Sequence, residues 1–209
     1  MLVSALKQGR AQKNIQPHNS KGKTMKKTFL ASLAVAALAI TSFSATAQTK
    51  DPKVGGADMY PTKNIVENAI NSPIHKTLVA AVKAAGLVDT LESAGPFTVF
   101  APTDAAFAKL PAGTVDNLVK PENKATLTKI LTYHVVAGRI SAKDIENGIK
   151  AGGGKYVMTT VQGEPLAASM KGSKIILTDA KGGWATITTA NVFQSNGVIH
   201  VIDTVLMPS

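Results

Sequence analysis

The chain has 209 residues, no cysteine, 44% hydrophobic and 5% aromatic residues. A folded unit of about 150 residues buries roughly 70% of its unfolded surface and needs no staple. The missing cysteine excludes a disulfide framework, a thiolate zinc site and a cysteine nucleophile. The formal net charge of +10 is uneven: residues 1–47 hold seven of the 23 Lys and Arg and none of the 13 Asp and Glu, leaving 16 basic against 13 acidic residues beyond them. With Arg139 the only arginine in that remainder, a nucleic-acid-binding face is not expected.

From Met25, Lys26 and Lys27 precede the apolar run Phe29 to Ile40, then Thr41 to Ser44 and the small residues of Ala45-Thr46-Ala47. This order is that of a secretory signal peptide, with Gln48 as the mature start. The apolar run is too short to span a bilayer of about 30 Å, so no membrane span is expected after cleavage. Residues 1–24 carry no acidic residue and no periodic apolar pattern. They are expected to be upstream sequence translated from a misplaced start. The expected organisation is therefore an extension at 1–24, a signal peptide at 25–47, a flexible lead-in at 48–61 and one domain at 62–209.

Within that domain, Ile65, Val66, Ala69 and Ile70 repeat at helical spacing, as do Ile74, Leu78, Val79 and Val82 before Gly86, a residue suited to a left-handed helix end. Leu87, Val88 and Leu91 predict another short helix, closed by Gly95-Pro96. Phe97 to Phe100 is β-branched and aromatic and predicts a strand, stopped by Pro102. Thr103 or Asp104 then caps a helix over Ala105 to Leu110. In the segment Glu122 to His134, Leu127, Ile130, Leu131 and His134 lie on one helical face. Val135 and Val136 favour a strand, Gly138 a bend, and Ser141 with Asp144 a further helix start. Beyond Gly152-Gly153-Gly154, taken as a hinge, five short runs predict strands: 156–161, 165–170, 174–178, 184–189 and 198–206. The last is apolar on both faces and belongs in the middle of a sheet. Helices followed by mainly antiparallel strands make an α+β domain.

Three segments carry a family resemblance. Residues 95–107, GPFTVFAPTDAAF, resemble the first signature box of fasciclin domains; Tyr133-His134-Val135-Val136-Ala137-Gly138 resembles the central Tyr-His segment; residues 196–208, NGVIHVIDTVLMP, resemble the closing box. With Asn64-Ile65-Val66 at the opening, the resemblance covers about Asn64 to Pro208. It implies a wedge of two mainly antiparallel β-sheets flanked by helices, in secreted or surface-displayed proteins that mediate adhesion. There is no Arg-Gly-Asp tripeptide and no Asn-x-Ser/Thr sequon.

The resemblance makes Tyr133 and His134 the first binding candidates, since this region takes part in integrin recognition in animal relatives. The helical stripe aims His134 at the core, where an imidazole links segments by hydrogen bonds; Tyr133, one step around the helix, is expected to face solvent. Thr103 and Asp104 are the second candidates, although their place after a proline also suits capping. His75, His134 and His200 have no local ligand spacing, so neither a metal nor another cofactor is expected. Phe193-Gln194-Ser195-Asn196-Gly197 lacks the first glycine of a nucleophile elbow, and no phosphate loop occurs, so catalysis is not expected. The reading is a monomeric, exported binding module whose partner is a surface or extracellular protein, glycan or polymer. The alternatives are a periplasmic or matrix structural protein without a dedicated ligand and a hydrolase with an unrecognised site.

Overall fold

A computed structural model of the chain describes residues 51–209; the expected extension, signal peptide and mature start at Gln48 lie outside them. Three helices come first: α1 (Ile65–Asn71), α2 (Lys76–Ala85) and α3 (Val88–Glu92). Asn64 and Glu67 close a reciprocal capping box on α1. Gly86 ends α2 at φ +72, the left-handed conformation that a Cβ disfavours. Strand β1 (Phe97–Pro102) is followed by α4 (Asp104–Phe107), α5 (Thr114–Leu118), a 3-10 turn (Pro121–Asn123), α6 (Lys124–Tyr133), β2 (Val135–Ala137) and α7 (Ala142–Ala151). The ladder β3 (Lys155–Thr159), β4 (Pro165–Lys171), β5 (Lys174–Thr178), β6 (Trp184–Gln194) and β7 (Gly197–Ile202) completes the chain. Ser141 and Asp144 form the capping box expected at the start of α7. The helix predicted over 122–134 splits instead: its first turn is the 3-10 turn led by Pro121, and α6 starts at Lys124.

The strands hydrogen-bond in the order β2-β1-β7-β6-β5-β4-β3. Every pairing is antiparallel except β1 with β7, which run parallel from Phe97↔Gly197 to Pro102↔Ile202. Strand β6 belongs to both halves of this α+β fold. Its first residues pair with β5, and its remainder, interrupted by register shifts, pairs with β7. Such irregularities bend a long strand, so the two expected sheets are joined through one shared strand. The far edges also meet, where Val136 bridges Thr160 and Val161 donates to the Val135 carbonyl at 2.7 Å. Strand β7 is buried along its whole length, as a both-face apolar strand requires. At its start a Cβ on Gly197 would collide with the Phe97 carbonyl, so only glycine lets β1 and β7 approach there.

Two apolar layers result. One packs α1, α2, α3 and α6 against Val99, Val135, Val192, Ile199 and Val201 of the sheet. The other packs Phe100, Tyr133, Ile145, Leu166, Leu177 and Ile202 together. Two expectations fail here. Residues 51–61, expected as a flexible lead-in, are packed down: Val54 and Met59 join the first layer, and the Asp51 carboxylate accepts from the Phe193 amide at 2.9 Å. Their Gly and Pro content marked turns, while two apolar anchors did the packing. The glycines at 152–154 are no hinge either. They close the end of α7, with the Gly152 amide donating to Gly148 at 2.9 Å and that of Gly154 to Ile149 at 2.8 Å.

Candidate functional site

The Tyr133-His134 pair sits where α6 ends between the two layers. His134 is the C-cap residue of α6, at φ −83 and ψ 1, and is buried. Its Nε2 accepts from the Leu206 amide at 3.0 Å, which leaves Nδ1 to donate to the Ile130 carbonyl at 2.9 Å. The ring thus ties α6 to the segment after β7, 72 residues away in sequence. Burial, which penalises the charged ring, drives its pKa from 6.5 to about 4, against the opposing pull of the Ile130 carbonyl.

Tyr133 corrects the expectation of a solvent-facing ring, since its exposure is 0%. The residue before the α6 stripe does turn away from the first layer, but it enters the second. Its hydroxyl donates to the Pro165 carbonyl at 2.9 Å and accepts from the Ala180 amide at 3.0 Å. Burial raises its pKa. Neither side chain of the pair is presented to a partner on this surface.

Thr103 and Asp104 divide the capping work. Thr103 is the N-cap of α4, its hydroxyl accepting from the Ala106 amide at 3.2 Å. Asp104 caps a different helix: its carboxylate accepts from the amides of Thr77 at 2.8 Å and Lys76 at 3.4 Å, at the start of α2. His75, the N-cap residue of α2, makes no side-chain cap bond, so Asp104 supplies the missing acceptor and an anion at the positive helix end. Partial burial raises the carboxyl pKa, but the bonds from Thr77 and Lys76 and the nearby His75 outweigh it and leave the pKa lowered.

The three histidines hold separate partners. His200, fully buried, stacks on Phe100 at 5.7 Å, with Nε2 at 2.9 Å from the Ile140 carbonyl and Nδ1 accepting from the Asn191 amide at 3.3 Å. His75 Nδ1 meets Ser72 Oγ at 2.8 Å. Among the described residues no group of three or more His, Asp or Glu side chains is placed to hold a metal. Ser195 lies in the β6–β7 turn, its amide donating to the Lys63 carbonyl at 3.0 Å. Next to it Asn196 bonds Ile65, Leu91 and Ser93, pinning α1 and α3 to that turn.

A surface feature not singled out in the sequence lies on the outer face of β3 to β6. Alternate residues face outward there, and cross-strand register lines up Val157, Ala167, Thr178 and Trp184 in one row. Val157 and Trp184, the only tryptophan, are 53% and 56% exposed at its two ends. Between them the small side chains of Ala167 and Thr178 form a low floor about 14 Å across, three strand spacings. Lys155, Lys171 and Lys174 share this outward face, Lys181 follows in the next turn, and Lys171 Nζ lies 5.6 Å from the Trp184 ring centre. Among the described residues none of the four lysines joins an ion pair. The neighbouring acids are occupied: Glu164 pairs with Lys129 at 3.5 Å, and Asp179 accepts from the amides of Gly183, Lys181 and Met207. The signal was present as alternation of lysine and apolar residues, but only register shows that they share a row.

The fasciclin domain model matches residues 73–208. Protein sll1483 of Synechocystis sp. is 48% identical over 159 residues, covering 76% of this chain and 81% of the relative. Immunogenic protein MPB70 of Mycobacterium bovis is 40% identical over 145 residues, covering 67% of this chain and 66% of that one. Cell surface glycolipoprotein MPB83 of the same species is 38% identical, covering 67% and 58%. Among solved structures, a FAS1 domain pair from the insect cell adhesion molecule Fasciclin I superposes with a TM-score of 0.63 at 19% identity, over 70% of this chain and 51% of that one. That likeness shows a shared fold. With its three signature segments, its architecture and a domain match over most of its length, the chain belongs to the fasciclin domain family.

Proposed function

We propose that this chain is an exported binding module that attaches to an anionic surface or extracellular polysaccharide through the outer face of β3 to β6. The observation that carries this is the row from Val157 to Trp184 with its unpaired lysines. An indole face carries negative quadrupole density and favours the weakly positive C–H face of a sugar ring. The low floor of Ala167 and Thr178 leaves room for a chain to lie between the two walls, and the lysines favour carboxylate or sulfate groups along it. Export is supported by the signal-type segment at 25–47 and by the surface setting named for the relative MPB83. No helix among the described residues is long and apolar enough to cross a membrane. Attachment here is surface complementarity and involves no bond chemistry.

Retention of the full chain on immobilised polygalacturonate, compared with neutral dextran, tests the reading. Retention on the acidic polymer that weakens with salt is expected, because exposed charge pairs are screened over about 10 Å at 0.1 M. Trp184→Ala and the pair Lys171→Gln, Lys174→Gln should each reduce it. Equal behaviour on the two polymers, or wild-type retention in Trp184→Ala, overturns the proposal and favours a structural protein without a dedicated ligand.

A further inference from the structure

The helix-side layer is not filled. Between α1, α2, α3 and the sheet lies a cavity of about 70 Å³, walled by side chains such as Leu78, Val82, Leu91, Val99 and Ile199. His75 lines it and is 3% exposed. While its Nδ1 is engaged by Ser72, its Nε2 is buried without a hydrogen-bond partner. The Ala101 carbonyl lies near enough to favour a proton on the ring, yet completes no hydrogen bond with it. Burial dominates and lowers the pKa, so the ring is neutral.

A buried polar atom without a partner costs on the order of 1–3 kcal/mol, and the other buried polar groups on the wall do not share this state. Asn68 is bonded to Tyr60, and both His134 nitrogens are engaged. A water held between Nε2 and the Ala101 carbonyl would leave the rest of the space, walled by apolar side chains, unfilled. The space therefore suits an apolar molecule with a single polar group. That group is a hydroxyl, because it satisfies either neutral tautomer: it donates to a bare Nε2 or accepts from a protonated one. Lys83 and Thr90 also line the space and are exposed, so they mark its mouth. An apolar cavity of about 150 Å³ holds benzene; this one, at about 70 Å³, is about half that size, so it takes about half of benzene's bulk, a group of about three carbons.

We infer that the cavity under α2 is a binding site for a small apolar alcohol of about three carbons, whose carbons pack among Leu78, Val82, Val99 and Ile199 and whose hydroxyl meets His75 Nε2. The site uses none of the residues of the outer sheet face, so it stands or falls independently of polysaccharide attachment.

Propan-2-ol and propane are the probes, titrated into the full chain and followed by amide chemical shifts of Leu78, Val82 and Ile199. Saturable shifts with both are expected, the alcohol binding about tenfold more tightly, as one net hydrogen bond gives. In His75→Phe that preference should fall to about twofold or less. Val82→Phe, which fills the cavity, should bind neither probe, and melting temperatures of both variants establish that they are folded. If Val82→Phe does not fold, Val82→Leu replaces it, and a loss of affinity for both probes is the expected result. Absence of saturable shifts in the wild type, equal affinity for the two probes, or a preference retained in His75→Phe overturns the inference.

Discussion

On the sheet side of the molecule, His134 and His200 each give both ring nitrogens to backbone groups, and Tyr133 gives its hydroxyl to two more. On the helix side, His75 is as deeply buried but leaves Nε2 without a partner beside an open space. Burial alone does not distinguish these residues; satisfaction does. A side chain whose every polar atom is matched inside the protein joins elements and has nothing left for a ligand. The same contrast separates the outer face of β3 to β6, with an exposed indole and lysines that join no ion pair among the described residues, from Thr103 and Asp104, whose oxygens are taken by helix amides.

Tyr133→Ala gives the largest break in this contrast. It removes a ring from the second layer and two hydrogen bonds, and an aromatic truncation in a core costs about 3–5 kcal/mol. Tyr133→Phe keeps the ring and should cost about 1–2 kcal/mol by stranding the Pro165 carbonyl and the Ala180 amide. Denaturant midpoints measure both. If Tyr133→Ala is as stable as the wild type, the ring is not the joint described.

Acid titration comes next. His134 has a pKa of about 4 folded against about 6.5 unfolded. Between those values the unfolded chain binds the extra proton, so stability falls as pH drops from 6.5 to 4 and levels off below. The shift corresponds to about 3 kcal/mol, with His75 and His200 adding in the same direction. In His134→Gln the slope across that window should be shallower. An unchanged slope would mean that His134 is not held neutral by the fold.

Most helices and strands were legible because their apolar spacing is local. Gly86, Ser141 with Asp144, and the run ending β7 announced themselves in the same way. What failed depended on partners distant in sequence. One helical step from the α6 stripe, Tyr133 turns away from Leu131, but only the arrangement of β4 and the turn before β6 shows that a second core waits there. Asp104 looked like a cap for its own helix and caps α2, because Ile74 accepts its amide at 2.8 Å and brings the two helix starts together. The parallel pairing of β1 with β7 spans about half the chain, beyond any local pattern. Trp184 was visible as the end of a strand, while its place in a row with Val157 required three registers at once.

A smaller effect sharpens the cap assignment. Asp104→Ala removes the acceptor from the first turn of α2 and should cost about 1 kcal/mol, as should Thr103→Ala for α4. The two sites serve different helices, so amide exchange separates them: Asp104→Ala should speed exchange at Lys76 and Thr77, and Thr103→Ala at Ala106. If Asp104→Ala leaves Thr77 unchanged, the carboxylate is not the cap of α2.

The smallest expected stability change is at Trp184, and there the comparison between satisfied and unsatisfied groups is tested most directly. Its ring is more than half exposed, and the Lys171 ammonium lies over it. An exposed cation over an aromatic face contributes about 0.5–1 kcal/mol, and losing exposed apolar area partly offsets that loss. Trp184→Ala should therefore shift the unfolding free energy by about 0.5 kcal/mol or less. Tyr133→Ala, a truncation of similar chemistry, should differ from it by several kcal/mol because one ring is enclosed and the other is not. The paired measurement is a denaturant midpoint for each variant. A loss at Trp184 as large as that at Tyr133 would show that the indole belongs to the packed interior, and the outer face would then lose its claim to be a surface available to a partner.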